Sequence, residues 1–219
     1  MRNARLEVNY DFPRGWEGRF QVELEDDELE LGSAYLRYTK WDVADITLGK
    51  AKEPVGMERL DSIERRITAE MSMLTRNFTP GKNWGIHLRR QKKSYTWGLA
   101  LVSEDEEDED FDEGAPTAVS GRYTWAPVRE PGRTLHLGIS GSLRDHKGNA
   151  YQLRDRGEVD SADVVVRSAR FFAEDERLLG LEGLWQRGAW VLQGEVMSSE
   201  LDDSDGRDWN FSGYYVTAS

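Results

Sequence analysis

Polar and apolar residues alternate along most of this chain with a period of two. From Ala4 to Tyr10, Ala4, Leu6, Val8 and Tyr10 fall on one side, and Arg5, Glu7 and Asn9 fall on the other. Trp16, Gly18, Phe20, Val22 and Leu24 then alternate with Glu17, Arg19, Gln21, Glu23 and Glu25. The rhythm runs on through Leu36 and Tyr38 and through Ile46 and Leu48, then stops. It returns at Trp84, Ile86 and Leu88 and recurs around Leu99, Tyr123, Leu137, Leu181, Leu192 and Tyr215. A helix does not keep its faces clean under this period. With a weaker pair between Ala150 and Phe172, the pattern predicts eleven or twelve strands in an antiparallel meander.

Two architectures produce such alternation. A soluble sandwich buries one face of each strand and wets the other. A membrane barrel turns the apolar face to lipid and the polar face to a lumen. The connections favour the barrel. Those near Lys92 and Arg187 are tight, whereas Glu104 to Thr117 and Asp202 to Asp208 read as long and acidic. Short turns on one side and long loops on the other is the outer-membrane arrangement. Trp16, Tyr38, Trp41, Trp84, Trp125, Trp190 and Trp209 lie near strand ends, where interface girdles form. Aromatic residues also favour strands in general.

Composition narrows the function classes. The 219 residues contain no cysteine, and His87, His136 and His146 show no ligand spacing, so neither a metal nor another cofactor is expected. A formal charge of −12 argues against a nucleic-acid partner. No apolar run reaches the ~20 residues of a membrane helix.

The interruption between the two sets of strands is the most informative segment. Pro54 ends a strand, because proline cannot continue the ladder. Ser62 to Leu74 reads as a short helix capped by Asp61 or Ser62. Thr79-Pro80-Gly81 is a turn leading into the next strand. In a barrel, a segment of this length folds into the lumen and narrows it, so residues 53–82 are the expected constriction loop.

These same residues resemble the phosphate-selective porin family of the porin O/P type. The resemblance runs through Leu48-Gly49-Lys50, Lys52-Glu53-Pro54, Gly56-Met57-Glu58, Leu60-Asp61-Ser62 and Ile67-Thr68. It continues from Phe78 through Pro80-Gly81-Lys82 to Gly85. The flanks "RNARLEV", "GRYTWAPV", "LLGLEGLWQRGAWVLQGEVMSSEL" and "NFSGYYVTAS" are similar to the family as well. The resemblance covers essentially residues 1–219, read as one domain. Lys82 stands where the family has arginine, and an arginine typical of its loop is absent near Met71. The family's barrel has about sixteen strands. With no signal peptide and an Ala218-Ser219 end, the chain reads as a copy lacking strands at both termini.

The resemblance implies an all-β, antiparallel, up-and-down transmembrane barrel in the bacterial outer membrane. It implies passive diffusion of small anions, phosphate or polyphosphate foremost, and no bond chemistry. Selectivity would come from lumen width and lining charge. Inward strand candidates are Arg19, Arg37, Arg89 and Arg122. Loop candidates are Arg59, Arg65, Arg66, Arg76 and Lys82. Arginine offers phosphate a planar fork and lysine a point charge. Glu58, Glu64 and Glu70 interleave with these cations and would offset their field. Expected partners are the anions, outer-membrane lipid and lipopolysaccharide, and two further copies in a homotrimer at full length.

Other readings stay open at this point. One is a truncated porin without transport. Another is a soluble β-sheet carbohydrate-binding or hydrolytic protein, for which Glu182 and Glu195 on adjacent strands would be the acid/base pair. The acidic run 104–113 reads as a solvated loop able to hold divalent cations. "DDSDGRD" from Asp202 lacks the closing glutamate of a calcium loop.

Overall fold

The computed structural model describes residues 4–25, 28–62, 66–68, 70–104, 114–157 and 163–219. The strands are β1 (Ala4–Phe12), β2 (Trp16–Glu25), β3 (Glu28–Tyr38), β4 (Asp45–Lys52), β5 (Lys82–Gln91), β6 (Tyr95–Ser103), β7 (Thr117–Glu130) and β8 (Arg133–Tyr151). Two short ones follow, β9 (Arg154–Asp155) and β10 (Val166–Arg167), then β11 (Phe171–Arg187), β12 (Trp190–Asp203) and β13 (Asp208–Ala218). Two helices interrupt them, α1 (Met57–Leu60) and α2 (Met73–Phe78). Eleven strands form one sheet in the order β1 to β8, β11, β12, β13, with β1 and β13 at its edges; β9 and β10 pair separately. Every neighbouring pair is antiparallel.

The sheet is inside out relative to a soluble domain. Among the described residues, 33 large apolar side chains are exposed, and only 12 apolar residues are buried. Leu6, Leu143 and Val216 are 67, 63 and 68 % exposed, while Gln21, Thr47, Ser120, Arg144, Glu182 and Glu195 are buried. Moving one large apolar side chain out of water contributes about 1.5–3 kcal/mol. Net domain stability is only about 5–15 kcal/mol. A sheet whose outer face carries most of these groups therefore calls for lipid, as the barrel reading expects. Among the described residues no helix is long and apolar enough to cross a membrane, which says nothing of strands.

The long connections all lie at one end of the sheet. One end has the turns at 13–15, 39–44, 92–94, 131–132 and 188–189, and the other carries 53–81, 104–116 and 152–170. The expected long loop at Asp202–Asp208 is a four-residue turn instead. β12 runs to Asp203, whose carboxylate accepts the Asp205 N–H at 2.9 Å and fixes a tight reversal.

Aromatic residues gather on the outer face at the short-turn end: Tyr10 and Phe12 (4.6 Å), Trp16 and Tyr38 (5.1 Å), Tyr95 and Tyr123 (6.3 Å), with Trp125, Trp185 and Trp190 beside them. Trp84 sits exposed at the opposite end. Trp209 departs from the girdle expectation. It faces inward, stacks on Phe171 at 4.7 Å, and its indole N–H bonds Asp203 at 3.2 Å.

Candidate functional site

Residues 53–81 leave the end of β4 and cross the polar face of the sheet toward β13. One register row makes the path: Arg89, Gly98, Arg122, Ser140, Gly180, Met197 and Gly213 stand side by side on successive strands. Four of the seven are small, so the backbone of the crossing segment approaches the wall closely. A Cβ at Gly98 would lie 3.0 Å from Pro54 Cβ, and one at Gly213 would lie 2.9 Å from Leu74 Cδ1. The Gly56 N–H donates to Ser140 Oγ at 3.4 Å. Val55 and Leu74 pack with Leu178 and Met197, flanked by Phe78 and Tyr215.

Of the helix expected at 62–74, the described residues 62, 66–68 and 70–72 are not helical; α1 precedes this stretch and α2 overlaps only its last two residues. α1 begins at Gly56, whose φ of 74° suits glycine and which offers no side-chain cap. α2 is capped by Ser72, whose hydroxyl accepts the Thr75 N–H at 3.2 Å. Ser72 therefore takes the role assigned to Asp61 or Ser62.

Three buried glutamates fasten the crossing. Glu53, fully buried, accepts from Asn83 (2.6 Å), Arg144 (2.7 Å) and the Ser120 hydroxyl. Arg144 also binds Glu104. Glu58 accepts the Ser72 N–H (3.0 Å) and the hydroxyls of Ser72 (2.7 Å) and Thr75 (2.6 Å), tying α1 to the start of α2. Glu195, on β12, accepts the N–H groups of Met57 and Glu58 (3.1 Å) and the Tyr215 hydroxyl (2.9 Å). Hydrogen bonds to charged groups contribute about 1.5–3 kcal/mol each. Glu58 is thus a structural anchor, and its carboxylate faces donors of its own loop rather than an open lumen. Glu64 lies outside the described residues.

The expected cations divide into two groups. In the first, Lys82 and Arg5 both bind Glu23, at 2.7 and 3.2 Å. Arg59 donates to Pro80 O at 3.2 Å, and Lys52 donates to Arg59 O at 2.7 Å. Burial, and next the charge of Arg66, hold the Arg59 guanidinium below its ordinary pKa, with Glu23 opposing. Lys52 in turn feels Arg59, Lys82, Arg66 and Arg5. The buried Nε of Arg66 has no hydrogen-bond partner among the described residues. Arg5 and Lys52 belong to this cluster and were not among the expected site residues. Lys52 lies two residues before the Pro54 break, which is the signal that could have pointed to it.

In the second group, on the strands, Arg37 bonds Thr47 (3.1 Å) and the Tyr35 hydroxyl (3.3 Å) and lies 5.0 Å from the Tyr35 ring centre. Arg19 reaches Glu7 at 3.2 Å and Asn9 at 2.9 Å. Arg89 bonds Gln91 at 2.7 Å. Arg122 forks onto Glu182, one arm at 2.9 Å, and His136 meets the same carboxylate at 2.6 Å. Arg76 is apart from both groups: it forks onto Asp155 at 2.6 and 3.2 Å and docks α2 against β9. Arg65 lies outside the described residues.

Glu182 and Glu195 do stand opposite each other in register, as a catalytic pair would. Each carboxylate is committed to other groups, Arg122 and His136 for one and the loop N–H groups for the other. Among the described residues no three His, Asp or Glu converge as metal ligands.

Known proteins share this architecture. The family model "Phosphate-selective porin O and P" matches residues 1–219. Porin O of Pseudomonas aeruginosa is 23% identical over 248 residues, covering 99% of this chain and 56% of Porin O. The anion-selective porin from Comamonas acidovorans superposes with a TM-score of 0.64 at 14% identity, over 99% of this chain and 63% of that one. A loop-L8 deletion mutant of OmpT, an outer membrane protein of Vibrio cholerae, gives 0.61 at 11% identity, over 99% and 67%. The chain therefore spans a little over half of Porin O and under two thirds of the Comamonas porin. Together with the lipid-facing sheet, these matches show that the chain belongs to the phosphate-selective porin O and P family, whose fold is the outer-membrane β-barrel.

Proposed function

We propose that this chain supplies wall and constriction loop to an outer-membrane channel for passive diffusion of small anions, with phosphate or polyphosphate preferred. The observation that carries this is the cation cluster at the two roots of the loop: Arg5 and Lys82 bind Glu23, and Lys52, Arg59 and Arg66 lie close enough to act on one another's charge. Such a cluster raises the local concentration of multivalent anions, and arginine forks suit phosphate oxygens. Arg37 and Arg89 continue the positive lining toward the short turns. The overall charge of −12 does not oppose this, because residues 105–113 alone hold eight of the 41 acidic side chains. The names of the relatives, Porin O and an anion-selective porin, support the same reading.

Conduction belongs to the closed barrel. The unpaired edges of β1 and β13 would each expose backbone polar groups to lipid, at several kcal/mol per group. In this reading the barrel sits in outer-membrane lipid and lipopolysaccharide and assembles as a homotrimer. The test is a reversal potential for the full-length protein in a planar bilayer under a KCl gradient. Anion preference and block of chloride current by added phosphate are expected. Cation preference would overturn the proposal.

A further inference from the structure

The three buried glutamates do different work, and only one holds α1 to the far wall. Glu53 sits one residue beyond β4 and fixes the root of the loop. Glu58 binds groups of the loop itself. Glu195 comes from β12, 137 residues along the chain from Glu58, and its two oxygens accept three donors: Met57 N–H on one, Glu58 N–H and Tyr215 O–H on the other. Gly56 brings no side-chain cap, so the first turn of α1 is capped from across the sheet. On the same far wall the turn makes the long Gly56–Ser140 bond, and at its other end Lys52 of β4 donates to Arg59 O.

We propose that Glu195 is the positioning residue of the loop: with Tyr215 it sets where residues 56–58 lie against the wall, and so sets the width of the passage. The proposal rests on reading residues 53–82 as the constriction. It predicts that a carboxylate is needed at this position. Glutamine keeps the shape but turns one acceptor into a donor, which then faces a backbone N–H with no acceptor between them. The loop's docked-to-released balance should then shift by on the order of tenfold to a hundredfold, as loss of charge-assisted bonds implies.

Single-channel recording of the full-length protein tests this. Glu195→Gln should give a flickering, noisier open current than wild type, with anion preference retained because the cation cluster is untouched. Tyr215→Phe, which removes one donor and keeps the packing, should give a smaller change in the same direction. The chain has no cysteine, so a Val55→Cys/Met197→Cys pair, placed within one buried apolar cluster, can tether the loop to β12. In the Glu195→Gln background the oxidised pair should restore a quiet current, and reduction should abolish it. An unchanged trace in Glu195→Gln overturns the proposal. If Glu195→Gln does not insert, an unchanged Tyr215→Phe trace overturns it equally. Wild-type protein without anion preference would instead count against the channel reading itself.

Discussion

The two halves of the inner wall use the same residue types for opposite purposes. From β7 to β13, charges are matched: Arg144 lies between Glu53 and Glu104, Arg122 and His136 share Glu182, and His146 meets Glu176 at 3.0 Å. Glu53, Arg144, His146 and Glu182 are buried, and the Arg144–Glu53 pair holds the root of the loop in place. From β1 to the start of β5, beside the Arg19–Glu7 and Arg37–Glu17 pairs, Arg5 and Lys82 share one carboxylate, Glu23, with Lys52, Arg59 and Arg66 close by, and the buried Nε of Arg66 has no hydrogen-bond partner among the described residues. Matched charge makes a scaffold, and unmatched charge makes a field. Formal net charge reports neither, since it sums over both and over the loops outside them.

The comparison breaks most directly at Arg144. Arg144→Ala leaves Glu53 fully buried without its cation, and loss of a buried pair's partner typically costs about 3–5 kcal/mol. Urea titration of the folded barrel in detergent should show this, and Glu53→Gln in the same chain should recover part of the loss. A wild-type midpoint would mean that the matched half is not a scaffold.

The next effect is on the other half. Arg59→Gln/Arg66→Gln should lower the anion-to-cation permeability ratio by on the order of several-fold, as removal of lining charge does. Arg122→Gln/Glu182→Gln removes a matched pair and should leave that ratio nearly unchanged. Reversal potentials compare the two directly, and equal losses would erase the distinction drawn here.

The third change sharpens the geometry. Gly98→Ala places a methyl against Pro54 and should destabilise the docked loop by about 1–3 kcal/mol through overpacking. Thermal unfolding would register it, together with a change in single-channel conductance. The smallest effect belongs to the exposed Arg177–Asp202 pair at 3.4 Å, outside both halves. Arg177→Ala should change stability by less than about 1 kcal/mol.

Much of the sheet was legible in the chain because a two-residue period is a local signal. The sign of that period was not local: apolar residues mark a face, and only the connections said that the face meets lipid. The loop was legible as an interruption, but its helices were misplaced. Asp61 and Ser62 look like caps as readily as Ser72 does, and the partners that decide between them, Glu58 for Ser72 and Glu195 for Met57, are set by tertiary contacts. For the same reason Glu58 was read as offsetting the cations. Nothing in the spacing of Glu53, Glu58 and Glu195 shows that they are buried among donors. Arg76 was expected in the lining because it lies in the loop, and its true partner, Asp155, is 79 residues away.

The order of the sheet has a consequence in arithmetic. An up-and-down meander of eleven strands begins and ends in the same direction, so β1 and β13 are parallel to each other. These edges cannot join each other in antiparallel register. A second copy in the same membrane orientation would present the same parallel mismatch. Any antiparallel wall that completes this one must contribute an odd number of strands, which makes the total even, as in single-chain bacterial outer-membrane barrels.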